Sequence, residues 1–204
     1  MKQFVITGIG TDVGKTVVSA IVAEALEATY WKPVQSGDLN NSDTIKVKNF
    51  CSESVFCLPE KYALKEPMSP HAAAEIDGVE IELSDFHVPE VNGNLIIEGA
   101  GGLLVPINQK GDTYIDIFKQ LELPVILVSR HYLGSINHTC LSIEALNNRG
   151  IKIHGIIYVG DEHPTTEKII STKYSLPVLG RVPFAENLNS DFIKAQANIL
   201  KTSL

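Results

Sequence analysis

Gly8-Ile9-Gly10-Thr11-Asp12-Val13-Gly14-Lys15-Thr16 is the stretch that decides how this chain folds. Phe4-Val5-Ile6 precedes it, an apolar run that reads as a buried strand. Val17-Val18, Ile21-Val22 and Ala25-Leu26 follow it, spaced as the inner face of a helix from about Gly14 to Ala28. Strand, glycine-containing loop, Gly-Lys-Thr and helix together are the context of a phosphate-binding loop. The loop amides and the first N–H groups of the helix have no partner within the helix, and the helix dipole favours an anion there. The expected cradle is Asp12, Val13, Gly14, Lys15, Thr16 and Val17, with Lys15 bridging the β- and γ-phosphates and the Thr16 hydroxyl on Mg²⁺. Five residues separate Gly8 from Gly14, one more than the common motif has.

Outward from the loop, Tyr30-Trp31-Lys32-Pro33-Val34 predicts a short strand ended near Pro33, and Gln35 to Asn41 a polar, turn-forming loop. Ser42 or Asp43 is placed to cap a second helix reaching toward Phe50. From Cys51 to His87 the periodicity is weak, apart from a short helix at Ala72-Ala73-Ala74-Glu75. Regular signal returns with apolar runs at Asn94–Glu98, Pro124–Ser129, Gly155–Val159 and Pro177–Gly180. Helical stretches are expected at about Asp112–Leu121, Ser135–Asn148, Thr165–Tyr174 and Ser190–Leu200. Uninterrupted apolar strands suit a parallel sheet covered on both faces. Their alternation with helices predicts one α/β domain over residues 1–204, a doubly wound, mainly parallel sheet of the P-loop NTPase kind.

A net charge of −7 and the lack of any Lys/Arg run argue against a nucleic-acid surface. Three cysteines with no Cys-x-x-Cys predict neither a disulfide framework nor a structural zinc site. No apolar run approaches the ~18 residues of a membrane span, and the chain enters its first strand without a leader-like segment. The expected address is the cytoplasm, with no membrane partner.

In a doubly wound sheet the ligand sits outside the carboxyl ends of the strands. Glu98 ends a strand otherwise made of Leu and Ile, where a carboxylate is costly unless paired or metal-bound. It is the expected metal ligand, with Thr16 and, from the start of the second helix, Asp43. Lys32, at a strand end beside a phosphate site, is placed to stabilise charge on a transferring group. Gly99-Ala100-Gly101-Gly102 offers backbone suited to close ligand approach, Gly101 among it. Leu133-Gly134-Ser135-Ile136-Asn137-His138 opens a helix with Ser135 as its expected cap, and its free N–H groups suit a second anion. His138 and His71 read as structural.

Together these residues resemble the dethiobiotin synthetase family. The family loop Gly-Thr-Asp-Thr-(Glu/Asp)-Val-Gly-Lys-Thr has the longer spacing and is matched at Gly8, Thr11, Asp12, Val13, Gly14, Lys15 and Thr16, with departures at Ile9 and Gly10. Trp31-Lys32-Pro33-Val34-Gln35-Ser36-Gly37, Asn41-Ser42-Asp43, Ser69-Pro70-His71, Ile97-Glu98-Gly99-Ala100-Gly101-Gly102 and Leu133 to His138 resemble further family motifs, in the same order along nearly the whole chain.

The resemblance implies a C–N bond-forming ligase that uses ATP and Mg²⁺ to convert 7,8-diaminononanoate and CO₂ into dethiobiotin. It implies Thr16, Asp43 and Glu98 around the metal, Lys15 and Lys32 neutralising charge, and Thr11 and Ser36 positioning a carbamate. It also implies a homodimer in which Leu133, Gly134, Ser135, Ile136 and Asn137 of one subunit hold the substrate carboxylate bound to the other. The family often reads adenine with an Asn where this chain has Val159, which predicts a weaker preference for ATP, with backbone near Val159 and Pro183 left to read the base. The rivals are a related amide ligase, which generally carries a glutamine-hydrolysing domain that this chain has no room for, and a partitioning-type switch ATPase. The latter class has a second lysine where Gly10 stands. An inactive nucleotide-binding module fits poorly with Lys15, Thr16, Asp43 and Glu98 all present.

Overall fold

Six parallel strands form the central sheet in a computed structural model that describes all residues from Met1 to Leu204. They are β1 (Gln3–Gly8), β2 (Thr29–Trp31), β5 (Leu95–Glu98), β6 (Val125–Arg130), β7 (Ile153–Val159) and β8 (Val178–Val182). Their spatial order is β2-β5-β1-β6-β7-β8, so the phosphate-loop strand lies inside the sheet with neighbours on both sides. The helices are α1 (Lys15–Leu26), α2 (Asp43–Phe50), α3 (Pro70–Asp77), α4 (Tyr114–Leu121), α5 (Ser135–Asn148), α6 (Pro164–Tyr174) and α7 (Ser190–Leu200). The doubly wound parallel α/β architecture expected from the apolar runs is the one observed.

The two-residue period of each strand deals its side chains to two cores. Phe4, Ile6 and Ile96 join α1 and α7 on one face, while Val5, Leu95 and Ile97 join α4 on the other. Helix α1 differs from expectation. Its residues Val18, Ser19, Ala20, Ile21, Val22 and Ala23 are all buried, because α7 and α2 pack against the side turned away from the sheet. A helix enclosed in this way needs small residues on its second face, and Ala20 and Ala23 provide them.

The strand expected over Tyr30–Val34 divides at Lys32-Pro33. Proline has no N–H for the ladder, so β2 ends there and the chain leaves the main sheet. Val34–Ser36 (β3) then pairs in parallel with Tyr62–Leu64 (β4) in a separate two-stranded sheet. Gln35 and Ser36, expected in a loop, are therefore strand residues, and the turning segment shrinks to Gly37–Asn41, its last three residues a 3₁₀ turn. Register sets the site. Ile6 lies opposite Glu98 in the β1/β5 pair and Gly8 opposite Val128 in the β1/β6 pair, which brings the Glu98 carboxylate beside the start of the loop.

Candidate active site

Gly14 is the N-cap of α1 and takes the left-handed conformation, φ 93. A side chain there would be strained and would crowd the Val159 methyls, about 3.2 Å from where its Cβ would lie. The cap makes no side-chain hydrogen bond, so the first amides of α1 remain available to a ligand. Lys15 reaches back across the loop, its Nζ donating to the Gly10 carbonyl at 2.6 Å. Burial lowers its pKa to about 8, with the Glu98 charge opposing the shift. A buried ammonium held by one carbonyl gains most from an arriving anion.

Beside the loop, two strand ends, Glu98 on β5 and Lys32 just after β2, meet two helix starts, Thr16 on α1 and Asp43 on α2. Thr16 Oγ1 donates to Glu98 Oε1 at 2.9 Å, and Lys32 Nζ lies 3.2 Å from the same oxygen. Lys32 also donates to Asp43 Oδ2. Glu98 and Lys32 are buried and Asp43 is partly so. Burial works against the Lys32 charge, but Glu98 and Asp43 more than offset it and the pKa is raised. Burial likewise opposes the Asp43 charge, yet Lys32 holds its pKa below the ordinary carboxylate value. An ammonium between two carboxylates means that this spot stabilises a cation already. Two carboxylates and a hydroxyl fit a hard divalent ion that keeps several waters. No group of three or more His, Cys, Asp or Glu gathers here or elsewhere in the chain, so the site offers two carboxylates and the Thr16 hydroxyl.

These groups line a cavity of about 700 Å³. Thr11, Asp12, Gly14, Lys15, Thr16, Val17, Lys32, Ser36, Asp43, Glu98 and Gly101 all reach its wall, so most of the expected site residues share one space. Ser36 Oγ is buried and has no hydrogen-bond partner. Val13, Val159 and Pro183 are not on that wall. Val13 is buried behind the loop, Val159 packs against Gly14, and Pro183 is exposed just after β8. Leu133, Gly134, Ser135, Ile136 and Asn137 also lie off the cavity, Leu133 fully exposed and Ile136 partly so. The α5 cap is Gly134 at φ 102, not Ser135, which is the buried first residue of the helix. The cap of α2 is Ser42, its hydroxyl accepting from the Ile45 amide at 3.3 Å. Asp43 is thereby left free to face Lys32.

Several residues of the site escaped the sequence. Tyr30 donates to Glu98 Oε2 at 2.9 Å. Burial and the Glu98 charge raise its pKa well above the ordinary phenol value, so it stays a donor. Gln35 Oε1 accepts from the Asp43 amide at 3.3 Å, and Lys46 lies 3.4 Å from Asp43 Oδ1. Arg130 donates to the Asp12 carbonyl at 3.1 Å while its guanidinium stacks 4.9 Å from the Phe184 ring centre. Met68, Ser69 and Pro70 close the cavity rim, which the Ser69-Pro70-His71 motif alone foreshadows.

The chain is 60% identical over 183 residues to the ATP-dependent dethiobiotin synthetase BioD of Christiangramia forsetii, covering 89% of this chain and 87% of the relative. The chain belongs to the dethiobiotin synthetase family. A relative of the same name from Cytophaga hutchinsonii is 47% identical over 199 residues, covering 97% of this chain and 96% of its own. The family described as AAA domain matches residues 2–191. Among solved structures, the cell division ATPase MinD of Pyrococcus furiosus superposes with a TM-score of 0.58 at 13% identity, covering 100% of both chains. A ParA family ATPase from Chlorobium tepidum gives 0.53 at 13% identity, covering 100% of this chain and 91% of its own. At that identity the likeness establishes the P-loop fold and nothing more.

Proposed function

We propose that this protein is an ATP- and Mg²⁺-dependent ligase of biotin biosynthesis. It carboxylates 7,8-diaminononanoate with CO₂ and closes the ring to give dethiobiotin, ADP and phosphate. The observation that carries this reading is the convergence of Lys15, Thr16, Lys32, Asp43 and Glu98 on one cavity, whose wall also includes Thr11 and Ser36. Membership of the family supports the substrates.

The chemistry asks little of the protein beyond orientation and charge. One amine nitrogen of the diamine attacks CO₂ and loses a proton, giving a carbamate. A carbamate oxygen attacks the γ-phosphorus as the bond to the ADP oxygen breaks. The second amine then attacks the carbonyl carbon, loses a proton and expels phosphate, which closes the cyclic urea. The substrate supplies both nucleophiles, so no activated Ser or Cys is required. Lys15, drawn from the Gly10 carbonyl onto the β- and γ-phosphates, and Lys32 neutralise the charge that gathers between carbamate and γ-phosphate. Thr11 and the unpartnered Ser36 hydroxyl position the carbamate. Thr16, Asp43 and Glu98 would hold Mg²⁺, which neutralises phosphate charge when bound.

In this reading the enzyme works in the cytoplasm as a homodimer, with Leu133–Asn137 of one subunit serving the diamine carboxylate of the other. The exposed Leu133 and Ile136 beside the start of α5 favour a partner there. No helix of the chain is long and apolar enough to cross a membrane. The partitioning-ATPase reading is disfavoured by Gly10, whose place the second lysine of that class would fill. The test is phosphate release from ATP with and without the diamine and bicarbonate, with mass-spectrometric detection of the product. Release should depend on both co-substrates, and dethiobiotin should appear in step with phosphate. ATP hydrolysis indifferent to the diamine would overturn the ligase reading.

A further inference from the structure

Tyr30 lies on β2 opposite Ile96 of the adjacent parallel strand β5. Glu98 is two residues further along β5, so Ile96 and Glu98 share a sheet face and Tyr30 shares it with them. Tyr30 is 0% exposed and Glu98 1% exposed, and the hydroxyl donates to Glu98 Oε2 at 2.9 Å. The two carboxylate oxygens thus have different neighbours. Oε2 meets only the phenol, whereas Oε1 takes both Thr16, at 2.9 Å, and Lys32, at 3.2 Å.

That division has a physical consequence. The terminal torsion of a glutamate is broad and roughly two-fold, so a carboxylate at a strand end has no intrinsic reason to aim one oxygen at the loop. A buried donor on one side removes that freedom. It also satisfies an oxygen that would otherwise be buried without a partner. Partners that hold a metal-binding carboxylate from behind tune its affinity as well as its orientation.

We infer that Tyr30 is a positioning residue for the reaction, holding Glu98 Oε2 so that Oε1 is presented to Thr16, Lys32 and the divalent cation. This rests on the proposed reading of Glu98 as a metal-binding residue, and the test separates the two. Tyr30→Phe keeps the ring in the core and removes only the hydroxyl. Mn²⁺ binding is titrated by electron paramagnetic resonance in the presence of a non-hydrolysable ATP analogue, with wild type, Tyr30→Phe, Glu98→Gln and the double variant side by side. Thermal melting establishes that each is folded.

Tyr30→Phe should raise the Mn²⁺ half-saturation concentration about tenfold, the lower end of what is seen when such supporting partners are lost. The rate at saturating substrate should fall, with little change in KM for ATP at saturating metal. The double variant should bind Mn²⁺ no more weakly than Glu98→Gln alone, because Tyr30 acts through Glu98. It buries no unpaired charge and so keeps the question answerable if Tyr30→Phe alone folds poorly. Weakened binding in Glu98→Gln with wild-type binding in Tyr30→Phe, or further weakening in the double variant, would overturn the role of Tyr30. Wild-type Mn²⁺ binding in Glu98→Gln would overturn the metal reading of Glu98 itself, and the inference with it.

Discussion

The two sides of β1 are built differently. Toward β5 and β2, the strand ends carry Glu98 and Lys32, buried and in contact with each other, and Lys32 also with Asp43. Toward β6, β7 and β8, they carry Val159 packed on Gly14, Pro183 exposed, and a polar group that closes on itself. There Glu167 Oε1 takes His131 at 2.9 Å and also Arg181, while His131 stacks on Tyr158 at 5.1 Å. One side keeps charges desolvated and poised for a cation and an anion. The other pairs Glu167 with His131 and Arg181, holds Arg130 at the Asp12 carbonyl, and otherwise leaves backbone and shape to face a ligand. Charges out of water act strongly on a reacting group, whereas backbone and shape suffice for recognition.

The sharpest way to break this contrast is Lys15→Ala. The loop lysine is held by a single carbonyl before nucleotide binds, so the protein should stay folded while turnover falls by ~10²–10³, the worth of comparable electrostatic contacts. Phosphate release and thermal melting, measured together, decide it. Activity above about a tenth of wild type would remove Lys15 from the transition state.

A smaller effect is expected on the other side. Val159 has no side-chain donor or acceptor, so ATP should be preferred only weakly over other nucleoside triphosphates. Val159→Asn should sharpen that preference by about tenfold, the lower end of one polar contact worth roughly 1–3 kcal/mol. The measurement is kcat/KM for ATP, CTP and GTP at fixed Mg²⁺. A wild-type preference for ATP already beyond about a thousandfold would mean that other groups read the base.

The smallest effect concerns the start of α5. Lys15→Ala subunits mixed with subunits carrying Ser135→Pro and Asn137→Ala should form heterodimers with one intact site, regaining about half the activity of a wild-type dimer. Confirmed heterodimers without recovery would show that sites are not shared across the interface.

Much of the architecture was legible because parallel strands covered on both faces are continuously apolar. The runs at β1, β5, β6, β7 and β8 each hold a strand, and α5 and α7 have the bounds that periodicity predicts. Two small strands were not legible. Val34–Ser36 and Tyr62–Leu64 are too short for a period to show, and their pairing spans a stretch with weak patterning. The enclosure of α1 was hidden for another reason. Val18, Ile21, Val22 and Ala25 mark the inner face, but alanine at positions 20 and 23 is as good a helix former in solvent as in a core.

By itself the sequence determined the phosphate loop and the types of group the chemistry needs, since spacing within nine residues is local and a carboxylate ending an apolar strand is legible as an exception. It also carried the family, through motifs in a fixed order. Tertiary structure alone decided which oxygen of Glu98 faces the site, which side of the Lys32 ammonium each acid takes, and that Tyr30 and Gln35 hold the two carboxylate-bearing residues in place. The contacts of Tyr30 and Lys32 with Glu98 join residues distant along the chain through strand register. Register depends on how whole strands pair and pack, and no local spacing encodes it.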